Sequence, residues 1–278
     1  MATPEQEAMM AQVTVNGLTM AFDEAGRDGA NDERVLLLVH GHPFDRTMWQ
    51  PQMAAAAAAG WRVVAPDLRG YGATDVTPGR VTLDMFADDL AALLDVLGIR
   101  TVVAGGLSMG GQIVMALADR YPDRLRGLVL AATFPRIDSE EGRAFRLATA
   151  DRLEREGMGP YAAEALPKML APGTIAAQPD VAAFVLRMMQ AAPARGAAAA
   201  LRGRADRRPY APVLAATMLP ALVVVGDEDA FTTRADATEM HALLTGSDLE
   251  WMEGVGHMPN LERPAAFNDA LVRFLARV

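Results

Sequence analysis

Short runs of Val, Leu and Ala recur along the chain, separated by stretches in which apolar residues return every three or four positions. The first pattern predicts strands and the second amphipathic helices. Strand-like runs cover residues 12–16, 18–24, 35–39, 62–65, 101–104, 128–131, 222–225 and 249–252. Most are continuously apolar rather than alternating, as expected of strands covered on both faces. The first two flank Asn16-Gly17, a pair that tolerates the positive φ angles of a tight turn, and they read as an antiparallel hairpin at a sheet edge. Helical spacing is clearest over 83–97, where Phe86, Leu90, Leu93, Leu94 and Leu97 form one stripe and Gly98 follows as a stop. A last helix begins at Pro264 and carries Phe267, Leu271, Phe274 and Leu275 on one face. The six alanines 54–59 make a further helix-prone patch. Strands alternating with helices predict an α/β fold: an eight-stranded, mostly parallel sheet with helices on both faces.

The alternation breaks between Phe134 and Pro212. This stretch holds no convincing strand, many alanines, and prolines at 160, 167, 172, 179, 193 and 209 that divide it into short helical pieces. It reads as an inserted helical cap, which divides the chain into core 1–134, cap 135–211 and core 212–278. Met158, Met169, Met188 and Met189 suit either an adaptable pocket wall or the filling of core gaps, the plainer role of methionine.

Composition narrows the function. Lys and Arg number 26 against 35 Asp and Glu, a net charge of −9 over 278 residues. An acidic chain is a poor match for nucleic acid or for anionic membrane surfaces. No cysteine is present, which excludes disulfides, thiolate metal sites and a cysteine nucleophile. Residues 1–10 carry Glu5 and Glu7 and no basic residue, unlike a secretory signal, and no run of about 20 apolar residues predicts a membrane span. The expectation is a soluble cytoplasmic protein.

The chemistry concentrates where the strand 101–104 runs into Gly106-Leu107-Ser108-Met109-Gly110, followed by a helical pattern. Gly-x-Ser-x-Gly between strand and helix is a nucleophile elbow: the sharp turn needs glycines on both sides and pushes the Ser108 hydroxyl out of the carboxyl edge of the sheet. A serine hydroxyl needs a base. Of the four histidines, His257 follows the last strand and opens onto the same edge. His241 falls within a helical pattern and reads as a packing residue, and His40 and His42 follow the third strand. The base needs an orienting carboxylate. Asp227, Glu228 and Asp229 all follow the strand 222–225. Asp229 lies farthest beyond Gly226 and is preferred over the other two. Oxyanion donors are expected from the N–H of Met109 and, because Pro43 has none, from that of His42. His40 is expected to support its loop.

These segments resemble the α/β-hydrolase superfamily. The resemblance rests on His40-Gly41-His42-Pro43, Asp67-Leu68-Arg69-Gly70-Tyr71-Gly72, Gly106-Leu107-Ser108-Met109-Gly110-Gly111, Gly226-Asp227-Glu228-Asp229, and Gly256-His257 with Pro264 beyond. It implies Ser108, His257 and Asp229 as the catalytic triad, Met109 and His42 as oxyanion donors, and a structural role for the 67–72 loop. Thr233 stands where many relatives carry proline. Within the superfamily, His40 to Asp45 with Met48-Trp49 looks like the branch of 3-oxoadipate enol-lactonases, small esterases and cofactor-free perhydrolases. A serine at 108, rather than an aspartate, is unlike haloalkane dehalogenases and epoxide hydrolases.

The expected reaction is hydrolysis of a small ester or lactone, with no metal and no cofactor. Perhydrolysis, amide or lactam cleavage, and carbon–carbon cleavage by the same triad are alternatives, as is a non-catalytic binder of the same fold. Phe44, Trp49, Phe134 and Met188 are candidate pocket residues, and Arg136, Arg143 and Arg146 are candidate readers of a carboxylate. Oligomeric state is not readable.

Overall fold

Asn16 and Gly17 adopt left-handed backbone angles (φ 49° and 78°) and close a hairpin between β1 (Met9–Val15) and β2 (Leu18–Ala25). This computed structural model describes residues 9–26 and 34–278. The reading of the N-terminal segment as unlike a secretory signal falls mostly on residues 1–8, outside the described residues. The sheet continues with β3 (Val35–Val39), β4 (Arg62–Pro66), β5 (Val102–Leu107), β6 (Leu125–Ala131), β7 (Ala221–Gly226) and β8 (Asp248–Met252). Its order is β1-β2-β4-β3-β5-β6-β7-β8, with β1 and β2 antiparallel at one edge and β3 to β8 parallel. Strands β3, β4, β5 and β7 are buried along their whole length, which accounts for their unbroken apolar runs.

Helices cover both faces. The core helices are α1 (Gln50–Ala58), α2 (Leu83–Val96) and α3 (Met109–Arg120). Thr82 caps α2 by accepting from the Met85 N–H, and Gly98 (φ 66°) lies just beyond its C-terminus. Six helices fill the interval between β6 and β7: α4 (Glu140–Glu156), α5 (Met158–Met169), α6 (Pro172–Ala177), α7 (Pro179–Ala191), α8 (Ala194–Ala205) and α9 (Ala211–Ala216). The prolines there punctuate by starting elements: Pro172 and Pro179 occupy first turns and Pro193 caps α8. Pro167 is carried inside α5. The chain ends with α10 (Arg234–Leu243), α11 (Pro259–Glu262) and α12 (Pro264–Leu275). Thr233 caps α10 in a reciprocal capping box with Asp236, so the helix starts well without a proline.

Most observed strands are longer than their apolar runs predict, β5 and β6 by two or three residues. β5 continues through Gly105 and Gly106 because both pair with β3 and β6. β6 begins at Leu125, three residues before its apolar run.

Candidate active site

β5 delivers Ser108 at φ 56° and ψ −115°, a left-handed conformation costly for any side-chain-bearing residue. The neighbours hold it there. The Ser108 N–H donates to Ala131 O (2.9 Å), and its carbonyl accepts from Gln112 N–H (3.2 Å) and the Thr133 hydroxyl (2.7 Å). The flanking glycines are sterically required: a Cβ at Gly106 would lie 2.3 Å from the carbonyl of Gly110, and one at Gly110 would lie 2.1 Å from Val39 O. Met109 opens α3, so its N–H has no intrahelical acceptor.

On the other side, β7 ends at Gly226 and the chain turns through Asp227 and Glu228. The Asp227 carboxylate accepts from Val255 N–H (3.3 Å), and the Glu228 N–H donates to Val255 O. Asp229 is the acid that reaches His257: Nδ1 lies 2.9 Å from both of its carboxylate oxygens. Both side chains are almost wholly buried. Burial pushes the Asp229 carboxyl up. The His257 charge and hydrogen bond, with N–H donors from Phe231 and Thr232, outweigh this and hold it below the usual carboxylate range. An ionised Asp229 fixes the proton of the imidazole on Nδ1 and leaves Nε2 as the basic nitrogen. Phe231 packs on the ring at a centroid distance of 4.7 Å.

The loop carrying His257 is tied from behind by Glu262. Its carboxylate accepts from the N–H groups of Gly256 (3.0 Å) and Met258 (3.1 Å), on either side of the histidine. It also accepts from Ala171 N–H (2.9 Å) and the Thr174 hydroxyl (2.7 Å) at the α5–α6 junction. The His257 N–H itself donates to Met169 O.

The third wall is the loop after β3. The His42 N–H takes no backbone acceptor among the described residues. The His42 ring pairs its Nδ1 with the Tyr71 hydroxyl (2.8 Å), while its Nε2 is buried without a partner. Burial, reinforced by the charge of Arg204, pushes His42 well below the ordinary histidine range, so it is neutral. His40 does not line the cavity. Its Nδ1 pairs with Gly41 O and its Nε2 accepts from Leu68 N–H, and burial lowers it as well. Asp67 underpins the 67–72 loop by accepting from the Arg46 side chain and from the N–H groups of Arg46 and Ala73.

Ser108, His257 and His42 border one cavity of about 270 Å³, together with Phe134, Tyr161, Arg136, Arg146, Arg204 and Phe231. Of the four aromatic and methionine candidates, only Phe134 lines it. Phe44 and Met188 border a separate cavity beside Asp45 and Gly72. Trp49 is 1% exposed and packs on Phe267 at 6.1 Å, so it is core rather than rim. Arg136 and Arg146 reach the cavity wall but are engaged by Asp236 and Asp138, and Arg143 pairs outside it with Asp206. His241 bonds the Ser247 hydroxyl and does not line the cavity. Tyr161, Arg204 and Phe231 were not legible as site residues, because the cap has no strand ends to mark them and the turn after Asp229 has no periodicity. Among the described residues no group of three or more His, Asp or Glu side chains is arranged to hold a metal ion, and no helix is long and apolar enough to cross a membrane.

Known proteins share this fold. The chain is 31% identical to 3-oxoadipate enol-lactonase 2 of Acinetobacter baylyi over 90% of its own length and 91% of the relative's. It superposes on a thermophilic esterase from Thermogutta terrifontis, solved with malate bound, with a TM-score of 0.91 and 36% identity, covering 97% of this chain and 99% of that one. The enol-lactonase from Burkholderia xenovorans LB400 gives a TM-score of 0.88 at 29% identity, covering 96% and 100%. Residues 36–270 match the alpha/beta hydrolase family. With that match spanning most of the chain, and the sheet order and strand–serine–helix turn described above, the protein belongs to the alpha/beta hydrolase family.

Proposed function

We propose that the protein hydrolyses a small carboxylic ester or lactone through a covalent acyl-enzyme on Ser108. The observation that carries this reading is the buried Asp229–His257 pair opening on the same cavity as the strained Ser108. The relatives named as enol-lactonase and esterase support the bond class.

In the first half-reaction the Ser108 oxygen attacks the acyl carbon and its proton passes to Nε2 of His257. Asp229 stabilises the resulting imidazolium. The N–H groups of Met109 and His42 receive the negative charge on the carbonyl oxygen, a contribution typically of about 2.7–4 kcal/mol per donor. Collapse breaks the carbon–oxygen bond of the substrate, and His257 returns its proton to the leaving alkoxide. In a lactone that alkoxide remains tethered to the acyl chain. Water then attacks the acyl-enzyme, His257 takes its proton, and collapse releases the carboxylic acid with Ser108 reprotonated. No step draws on a metal or cofactor.

The cavity lies slightly below the usual size range of small-molecule sites, which suits a compact acyl group. A panel of 4-nitrophenyl esters of increasing chain length, with simple lactones, tests the reading against Ser108→Ala. Loss of such a nucleophile costs on the order of 10⁶ in kcat in a comparable triad. A drop of only a few-fold, or failure of a fluorophosphonate to label Ser108, overturns it.

A further inference from the structure

Among the described residues, Arg204 is the cation lining this cavity that has no carboxylate within ion-pair distance. Arg136 pairs with Asp236, and Arg146 and Arg207 share Asp138. Arg204 is only 6% exposed, and no acid lies within ion-pair distance of it among the described residues. Its one side-chain hydrogen bond runs from Nε to Gln112 Oε1 (3.0 Å). Among the described residues the two Nη groups take no protein acceptor, and neither is a sealed atom of the cavity wall that Arg204 lines. Arg146 and Arg207 hold the Asp138 carboxylate between them, and its charge reaches Arg204 only from beyond ion-pair distance.

A buried charge without a partner is costly and is rarely kept without a use. Resting on the hydrolase reading above, we propose that Arg204 is an anion subsite that selects substrates carrying a free carboxylate in addition to the bond to be cleaved. The planar guanidinium offers its two Nη groups to a carboxylate as a fork.

The subsite is held rigidly with respect to the nucleophile. Gln112, which grips Nε, lies one helical turn beyond Ser108 and donates its N–H to the Ser108 carbonyl. α8 is seated by two glycines: a Cβ at Gly203 would lie 1.7 Å from Val81 O, and one at Gly196 would lie 1.9 Å from Gly70 O. Ala199 O accepts from Val81 N–H between them. Burial, with the charges of Arg146 and Arg207, pulls Arg204 below the ordinary arginine range, and a carboxylate bound at its Nη groups would act in the opposite sense.

The test compares mono-4-nitrophenyl glutarate, which carries a free carboxylate, with neutral 4-nitrophenyl pentanoate at fixed ionic strength. Wild type is expected to favour the glutarate by more than tenfold in kcat/KM. Arg204→Met is expected to reduce that ratio by about 30-fold, mostly through KM, which at 1.36 kcal/mol per tenfold is about 2 kcal/mol. An unchanged ratio, with both substrates falling together, overturns the subsite. If Arg204→Met does not fold, Arg204→Gln is read by the same ratio. Titration of glutarate into Ser108→Ala, with and without Arg204→Met, needs no turnover: at least tenfold weaker binding is expected, and equal binding overturns the subsite. Turnover that survives Ser108→Ala, or no turnover of either ester, instead counts against the hydrolase reading, and the titration still decides the role of Arg204.

Discussion

Nδ1 of His257 sits 2.9 Å from each carboxylate oxygen of Asp229, so the acid grips the imidazole symmetrically and fixes which nitrogen faces the cavity. Replacing the acid with an amide permits the wrong tautomer. Asp229→Asn should therefore lower kcat by about 10⁴ while the fold survives. Glu228→Gln, whose backbone alone is used in the loop, should change kcat by less than threefold. Steady-state rates on one 4-nitrophenyl ester, with circular dichroism as a fold check, decide this.

Glu262 acts one layer behind. Its carboxylate receives four hydrogen bonds, two of them from the N–H groups that flank His257. Glu262→Gln brings an amide NH₂ against those donors. The expected result is a fall in kcat of about 10- to 100-fold with little change in KM, because the base is displaced rather than the substrate site. Bonds to charged groups are worth about 1.5–3 kcal/mol each, so Tm should also drop by about 5–10 °C. A loss of stability with an unchanged kcat would show that the carboxylate does not position the base.

The two loop histidines predict a dependence of stability on pH. Burial lowers both His40 and His42 in the folded state, whereas the unfolded chain titrates them near 6.5. As pH falls through that value the unfolded state takes up protons that the folded state refuses. Stability is therefore full above about pH 7 and declines below it, by up to about 1.4 kcal/mol per pH unit for each histidine. Thermal melts from pH 7.5 to 5 check the slope, and His42→Asn should flatten it.

Two glycines separate steric need from mere helix weakness. Gly203→Ala must push α8 off Val81, so a loss of several degrees in Tm is expected. Gly159, on α5, has nothing within 4 Å of a Cβ and no positive φ, so Gly159→Ala should hold or raise stability by about 0.4–1 kcal/mol. Differential scanning calorimetry of the pair gives the comparison.

What was legible in the chain follows from where information is local. The turn at Ser108 declares itself because strand, flanking glycines and helix are contiguous, and Asn16-Gly17 announces its hairpin for the same reason. The meeting of Asp229 with His257 was foreseeable because parallel strands present their following loops at one edge. Strand ends were less legible, since Gly105 and Gly106 look like breakers until their partners in β3 and β6 are known. The cavity walls were least legible. Which face a cap helix presents depends on its rotation and packing, so Arg204 was indistinguishable from its neighbours Arg202 and Arg208, which are only half-buried; Trp49, just before α1, passed for a rim aromatic because nothing local announces its packing on Phe267.

The attachment of Glu262 to both the His257 loop and the α5–α6 junction constrains traffic through the enzyme. Swinging that junction outward would drag the imidazole off Asp229. Phe145 (68% exposed) and Phe231 (37% exposed) line the cavity and reach solvent, so a molecule that passes there leaves this tie intact.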